Sequence, residues 1–282
     1  MTPPTAMQLE DELGDVLEKA MRRSGLDDHA LAARSGVAVS RILDAIDYRS
    51  ELGGDELRRL AAALDLNEVG LCALGQGRYP LPQIEGLPFC VWPLRMPHGI
   101  GVVNAYLVAE EGGGRGLLFD TGADIAALER VLPRPHRDIA AVFLTHVETE
   151  HAGGLCDVVA HFGEPAAFIP LGAVAPCGSP VGEGATKTFG ALEVTVFSTP
   201  GHAPAHNCYL VRAPSVGAGR PLLISGDLIF AGSAGGGYFC HRQLQIHLRR
   251  MLGTVPPATV IAPGHGPLTT VENELRYNPF LV

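Results

Sequence analysis

The chain has no C-x-x-C pair, a single tryptophan, no excess of positive charge and no apolar run long enough to span a bilayer. Each absence removes a class of protein. The six cysteines (Cys72, Cys90, Cys156, Cys177, Cys208, Cys240) are scattered, which excludes a zinc knuckle and a ferredoxin-type cluster and predicts reduced, mostly buried thiols rather than a disulfide framework. A net charge of -9 leaves no global field to attract nucleic acid or an anionic membrane. The N-terminal MTPPTAMQLEDELGDV has neither the basic nor the apolar region of a secretory leader, so a cytoplasmic protein without membrane association is expected. A Gly-rich dinucleotide fingerprint is also missing, so redox chemistry would draw on an external reductant.

Glycine and proline are plentiful instead, at 35 and 22, as many short strands joined by tight connections require. The pattern divides the chain into a helical domain over 1–78 and a strand-rich domain over 79–282, with the break in GRYPLP. In the first part apolar residues recur at three and four positions through QLEDELGDVLEKAMRRSG, HALAARSG, SRILDAID and DELRRLAAALDL. The stretch ALAARSGVAVSRILDAI is similar to the helix-turn-helix of Cro-like repressors, with Gly36 at the turn and Ser40 placed to cap the following helix. Charge argues against the matching function. Residues 1–80 carry 9 basic and 14 acidic side chains, and the candidate DNA contacts Arg41 and Arg49 stand beside Asp44 and Asp47, which face phosphate with the wrong sign. DNA binding is therefore disfavoured, and packing or formation of a homo-oligomer is the expected use of this domain.

In the second part, short apolar runs alternate with the helical stretches ADIAALERVL and HRQLQIHLRRML. Five of these runs end on a turn that carries Asp or His: GLLFDTG at Asp120, VFLTH at His146, VFSTPGH at His202, LLISGD at Asp227 and VIAPGH at His265. Strand ends along one sheet edge bring distant side chains together on rigid supports, where a metal site can be held in fixed geometry.

The segments FDTG (119–122), THVETEHAGG (145–154), TPGHAPAH (199–206), SGD (225–227) and PGHGP (263–267) resemble the metallo-β-lactamase superfamily. That resemblance implies an α+β fold, a four-layer αββα sandwich behind the small all-α domain, with one or two metals at a strand-end edge. It also implies that His146, Glu148 and His202 hold a first metal, that Glu150, His151 and His265 hold a second, and that Asp227 bridges them. Asp120, Thr145 and His206 fall at supporting positions.

One loop departs from the hydrolase pattern. Where that pattern reads His-x-His-x-Asp-His, this chain reads His146-Val-Glu148-Thr-Glu150-His151. Glu148 puts an anionic oxygen in place of a neutral imidazole, and Glu150 lengthens an Asp by one methylene. Three carboxylates facing two divalent cations leave about +1 instead of about +2. A more anionic, oxygen-rich site favours iron, with manganese or zinc as the other candidates. The same His-x-Glu step occurs in flavodiiron proteins and related diiron oxygenases, which the loop resembles apart from Glu150.

Two chemistries follow. In the first, a dinuclear hydrolase acts on a small-molecule ester, thioester, lactone or phosphoester, with Glu150 as the catalytic residue that orients the hydroxide or relays its proton. In the second, a diiron centre binds O2, NO or a peroxide. A third reading joins the two domains into a metal- or gas-responsive DNA-binding regulator. Tyr238 and His241 are candidates for the substrate mouth, together with loops expected at 86–104, 172–190 and 231–242. His247 reads as structural, and His29, His98, His136 and His161 as surface or core histidines.

Overall fold

The computed structural model describes residues 8–113, 115–134, 138–217 and 219–282. His136 and the first seven residues, part of the N-terminal stretch read above for a leader, lie outside them. The chain opens with five helices, α1 (Leu13–Ser24), α2 (Asp28–Ser35), α3 (Val39–Ile46), α4 (Gly54–Leu64) and α5 (Glu68–Gly75). Asp27 caps α2 by accepting from the Ala30 amide, and Gly36 ends it in the left-handed conformation with φ 68°. Ser40 is not the cap expected of it. Helix α3 starts earlier, with Ala38 in extended backbone as the N-cap, so Ser40 sits inside the first turn.

Two six-stranded sheets follow. The first contains β1 (Cys90–His98), β2 (Gly101–Ala109), β3 (Gly116–Phe119), β4 (Ile139–Phe143), β5 (Ala166–Pro170) and β6 (Ser179–Val181), in that spatial order. Three helices, α6 (Ile125–Val131), α7 (Thr149–Ala152) and α8 (Leu155–His161), lie between its parallel strands in sequence. Strands β7 (Thr186–Phe189), β8 (Leu192–Ser198), β9 (Asn207–Arg212) and β10 (Leu222–Gly226) begin the second sheet. After a small hairpin of β11 (Ile229–Phe230) and β12 (Ser233–Ala234), helix α9 (His241–Thr254) leads to β13 (Val260–Pro263) and β14 (Thr269–Thr270), and α10 (Val271–Tyr277) closes the chain. The order in the second sheet is β14-β13-β10-β9-β8-β7.

Side-chain alternation explains the layers. Tyr106, Leu117, Phe119 and Phe143 of the first sheet meet Val194, Val196, Tyr209 and Ile224 of the second in one core. Their neighbours Ala105, Leu107, Leu118 and Val142 point the other way, onto Leu128 of α6 and Val158 of α8. Strands buried on both faces read as unbroken apolar runs, which is why GLLF and VFL carry so little polarity. Leu223 and Ile261, on the outer face of the second sheet, pack with Leu244 and Leu248 of α9 and share a continuous core with Val16, Leu17, Leu60 and Leu71 of the helical region.

The expected loop at 86–104 is instead mostly a hairpin, with Cys90 opposite Ala109 and His98 opposite Gly101. Pro93 and Pro97 hide it in the sequence, but β1 is an edge strand, where a missing amide donor is tolerated. Within 172–190 lie β6 and the whole of β7, and 231–242 holds β12 and the start of α9. The thiols are also less buried than expected, since only Cys208 is fully so. No helix among the described residues is long and apolar enough to cross a membrane.

The helical region is fastened to the sandwich by its core and by Asn67, whose Nδ2 donates to the Arg276 and Leu281 carbonyls at 3.2 Å, beside a polar knot around α10. Glu274 of α10 is fully buried and accepts from Tyr79 Oη at 2.8 Å, Thr269 Oγ1 at 2.7 Å, Asn278 Nδ2 at 2.7 Å and the Gly232 amide at 3.1 Å. Gly70 of α5 lies so close to α10 that a Cβ there would stand 2.0 Å from the Tyr277 carbonyl oxygen. Glu274→Ala would strand several buried donors at once, and a loss of about 3 kcal/mol or more is expected. Urea denaturation reads it directly: an unchanged midpoint would mean that the knot contributes nothing to the fold.

Candidate metal centre

All the marked turns open onto one edge of the sandwich. His146 follows the end of β4, Glu148 immediately precedes α7, and Glu150 and His151 lie within that single helical turn. His202 follows β8, Asp227 follows β10 and His265 follows β13. Ligand-type atoms of His146, Glu148 and His202 lie within 4.8 Å of one another, as do those of Glu150, His151 and His265, and those of His146, His151 and Asp227.

Each imidazole is held from outside. His151 Nδ1 donates to Asp120 Oδ2 at 3.0 Å, His202 Nδ1 to the Gly236 carbonyl at 2.9 Å, and His265 Nδ1 to the Val102 carbonyl at 3.0 Å. Thr145 Oγ1 gives its proton to Asp120 Oδ2 at 2.8 Å, so at 3.0 Å it accepts from His146 Nδ1. With every Nδ1 engaged as a donor, each ring in its neutral form carries its lone pair on Nε2 and turns it inward. Nε2 of His146, His151 and His202 and Oδ1 of Asp227 are buried without a hydrogen-bond partner. Buried polar atoms left in this state are rare and call for an explanation.

A bound cation would supply it. Asp227 stands 3.6 Å from His151 Nε2, 3.6 Å from His202 Nε2 and 3.5 Å from His265 Nε2, and Glu148 Oε1 stands 3.2 Å from His202 Nε2. Such separations suit donor atoms each about 2 Å from a shared ion. The mixed imidazole and carboxylate set fits divalent zinc, iron or manganese.

Electrostatics favours the same arrangement. Burial alone would raise the Asp227 pKa, but the imidazoles of His151, His265, His146 and His202 hold it well below the usual carboxylate range. His151 is opposed by burial, yet Asp227 on one side and Asp120 on the other push its pKa up to about 9. His146 is lowered by burial and by neighbouring His151.

Local backbone serves the cluster. Asp120 adopts a left-handed φ of 61°, a conformation that costs a non-glycine residue about 1 kcal/mol. Bonds from the Thr145 amide at 2.7 Å, from Thr145 Oγ1 and from His151 hold it there. Gly264 is required by space, since a Cβ would sit 2.1 Å from Asp227 Oδ1. His206, fully buried with its pKa depressed to about 3 by burial and by His202, stays neutral. Its Nδ1 bonds Thr199 Oγ1 at 2.8 Å while its Nε2 accepts from the Asp227 amide at 3.2 Å, so it braces that residue.

A cleft of about 320 Å³ leads to the cluster, lined by Glu148, Glu150, His202, Asp227, Tyr238 and His265 on the sandwich side. Its opposite wall is α1 and the residues before it. Glu10 Oε1 lies 3.7 Å from His265 Nδ1, and Lys19, which pairs with Asp11, also donates to the Ala234 carbonyl at 2.9 Å. Ser233 bonds Asp11 as well. A larger cavity of about 790 Å³ lies beside Leu13, Tyr48 and Tyr79, but none of the clustered histidines reaches it.

Several sequence readings change here. Tyr238 flanks the cleft, with its ring 5.4 Å from that of His202, whereas His241 begins α9 and faces a separate recess beside Arg22 and Arg23. His98 is closer than expected: at the end of β1, its Nε2 stands 3.9 Å from Glu150 Oε2. Arg41 binds both oxygens of Glu56 at 3.0 Å, and Arg49 is held by Asp44 and Asp47, far from the metal edge in sequence and engaged locally. Asn104 was missed altogether. Buried in β2, it donates to the Pro263 and Gly266 carbonyls at 3.1 and 2.8 Å and so shapes the His265 turn. Glu10, Asp11 and Lys19 were missed because no local pattern reports that a helix will dock 200 residues downstream.

Known proteins resemble this chain in sequence and in fold. The probable metallo-hydrolase YqgX of Bacillus subtilis is 28% identical over 212 residues, covering 66% of this chain and 96% of that protein. The hydroxyacylglutathione hydrolase of Salmonella arizonae is 30% identical over 155 residues, covering 54% of this chain and 57% of that one. Among solved structures, the BLEG-1 B3 metallo-beta-lactamase superposes with a TM-score of 0.55 at 26% identity, covering 67% of this chain and 98% of that chain. The family model of the metallo-beta-lactamase superfamily matches residues 98–265, more than half of the chain and the span that holds every clustered histidine, so the protein belongs to that superfamily.

Proposed function

We propose that the protein is a dinuclear metal-dependent hydrolase of small acyl substrates, an ester or thioester first among them. The observation that carries this reading is the set of inward-facing, unpartnered Nε2 atoms around Asp227. His146, Glu148 and His202 would hold one ion, Glu150, His151 and His265 the other, with Asp227 between them. When bound, such a pair supplies Lewis acidity to a carbonyl and brings the pKa of water near neutrality.

The remaining work falls to the chain. Glu150 reaches the cleft half-buried, and would take a proton from attacking water and return it to the leaving group. Asp120 and Thr145 keep the imidazoles in the tautomer that presents Nε2. Tyr238 offers an exposed ring at the rim for the apolar part of a substrate, and α1 limits its size. Support for a hydrolytic reaction also comes from the relatives named as a probable metallo-hydrolase and a hydroxyacylglutathione hydrolase.

Glu148 sustains a second reading, diiron redox chemistry with an outside electron donor, because its carboxylate lies where it adds negative charge to the pair. Protein supplied with iron, manganese and zinc in competition is expected to retain iron or manganese preferentially, and Glu148→His to shift that preference toward zinc. Equal zinc uptake by both, measured by elemental analysis, would defeat the charge argument. With the metal-loaded protein, a panel of nitrophenyl esters and acyl thioesters should be turned over, and His202→Ala should lower kcat/KM by about 100-fold or more. Oxygen consumption with a chemical reductant, in the absence of any hydrolysis, would favour the redox reading instead.

For the helical region we propose a wall of the active-site cleft rather than a DNA reader. Arg41 and Arg49 already spend their charge on Glu56, Asp44 and Asp47. Titration into random duplex DNA at low salt should give no binding, whereas affinity that falls steeply as salt is raised would restore the regulator.

A further inference from the structure

The six thiols are unequally placed. Cys208 is enclosed in β9 beside Thr199 and the Ser225 carbonyl, while Cys72 in α5, Cys90 in β1 and Cys240 just before α9 lie half-buried and apart in sequence. Cys156 and Cys177 face each other, with Sγ 2.6 Å from Sγ. That separation is only roughly 0.5 Å longer than a disulfide bond of about 2.05 Å.

The fold explains how residues 21 positions apart meet. Cys156 is in the first turn of α8, the crossover that carries the chain from β4 to β5. Cys177 ends the connection from β5 to β6, where Gly178 turns the chain into β6 with φ 106°. That turn brings Gly178 against Ile169, to which a Cβ would stand 2.8 Å, so the connection is pressed onto the sheet with Cys177 under α8. Both thiols are half-buried and line a surface recess of about 420 Å³ with Val159, Ala160, Ala167 and Ser179, which a small thiol reagent can enter.

We propose that Cys156 and Cys177 form a dithiol that closes to an intramolecular disulfide, tying the start of α8 to the β5–β6 connection. The oxidant is a low-molecular-weight disulfide of the glutathione type. One cysteine, as thiolate, attacks it and releases a first glutathione thiol; the other cysteine then displaces the second glutathione from the mixed disulfide. The pair gives up two electrons and two protons, one sulfur–sulfur bond forms as one breaks, and two glutathione thiols leave. Helix α8 follows directly on the Gly153-Gly154 end of the turn that bears Glu150 and His151, so the bond would clamp the chain just beyond two candidate ligands. It requires no metal and no substrate, and it stands or falls independently of the hydrolase reading.

The test uses the full chain, equilibrated with glutathione disulfide or with dithiothreitol, quenched in acid, unfolded and alkylated with a maleimide. Intact mass should show six adducts after dithiothreitol and four after oxidation, with peptide mapping linking Cys156 to Cys177. The double variant Cys156→Ala/Cys177→Ala, which removes only small half-buried thiols, should carry four adducts in both conditions. Six adducts on the oxidised wild-type chain, a link between any other pair, or lasting glutathione adducts on both cysteines would overturn the proposal.

Discussion

The geometry at the metal edge depends on a single constraint: four imidazoles must be pinned through Nδ1 so that every Nε2 faces inward. Each pin comes from a different place: Asp120 after β3, Thr145 after β4, the Gly236 carbonyl before α9 and the Val102 carbonyl in β2. A histidine ring has two nitrogens with opposite roles when neutral, so an outer acceptor decides which of them presents a lone pair. The left-handed backbone at Asp120 costs free energy locally, and the three donors that converge on its carboxylate hold it in place. The sandwich contributes rigid strand ends, which keep these outer partners from drifting.

The acids give that cage its character. Asp227 lies among four imidazoles that hold it ionised, and Gly264 leaves room for it where any side chain would collide. Glu148 and Glu150 extend from the α7 turn toward the two sides of the cluster. Replacing a neutral donor by a carboxylate lowers the net charge of an ion pair and shifts preference toward harder cations, the physical link between one residue in a loop and the proposed metal.

The helical region gains its meaning from where it docks. Its core runs without interruption into the outer face of the second sheet, and Asp11 and Lys19 bind the β11–β12 hairpin that follows Asp227. A region that shares a core and lines the cleft belongs to the same structural unit as the site. A cationic surface able to read nucleic acid would need free arginines, and Arg41 and Arg49 spend theirs within their own turn and helix pair.

Much of this was legible in the residues themselves. Apolar runs that stop at Asp or His identified the strands that bear Asp120, His146, His202, Asp227 and His265, because a strand buried on both faces has no polar alternation and its end is abrupt. The family resemblance of the loop also implied the grouping of Glu148 and Glu150 with their histidines, and the short turn of α7 with its N-cap holds the two acids close together. Other features were invisible locally. Prolines concealed β1 because an edge position, known only from the sheet, is what tolerates them. Asn104, His98, Glu10 and the Cys156–Cys177 pair acquire their roles through contacts between segments distant in the chain. Periodicity reports which face of an element is buried; which other element it is buried against is decided only when the layers close, and there the tertiary structure alone placed α1 over the cleft.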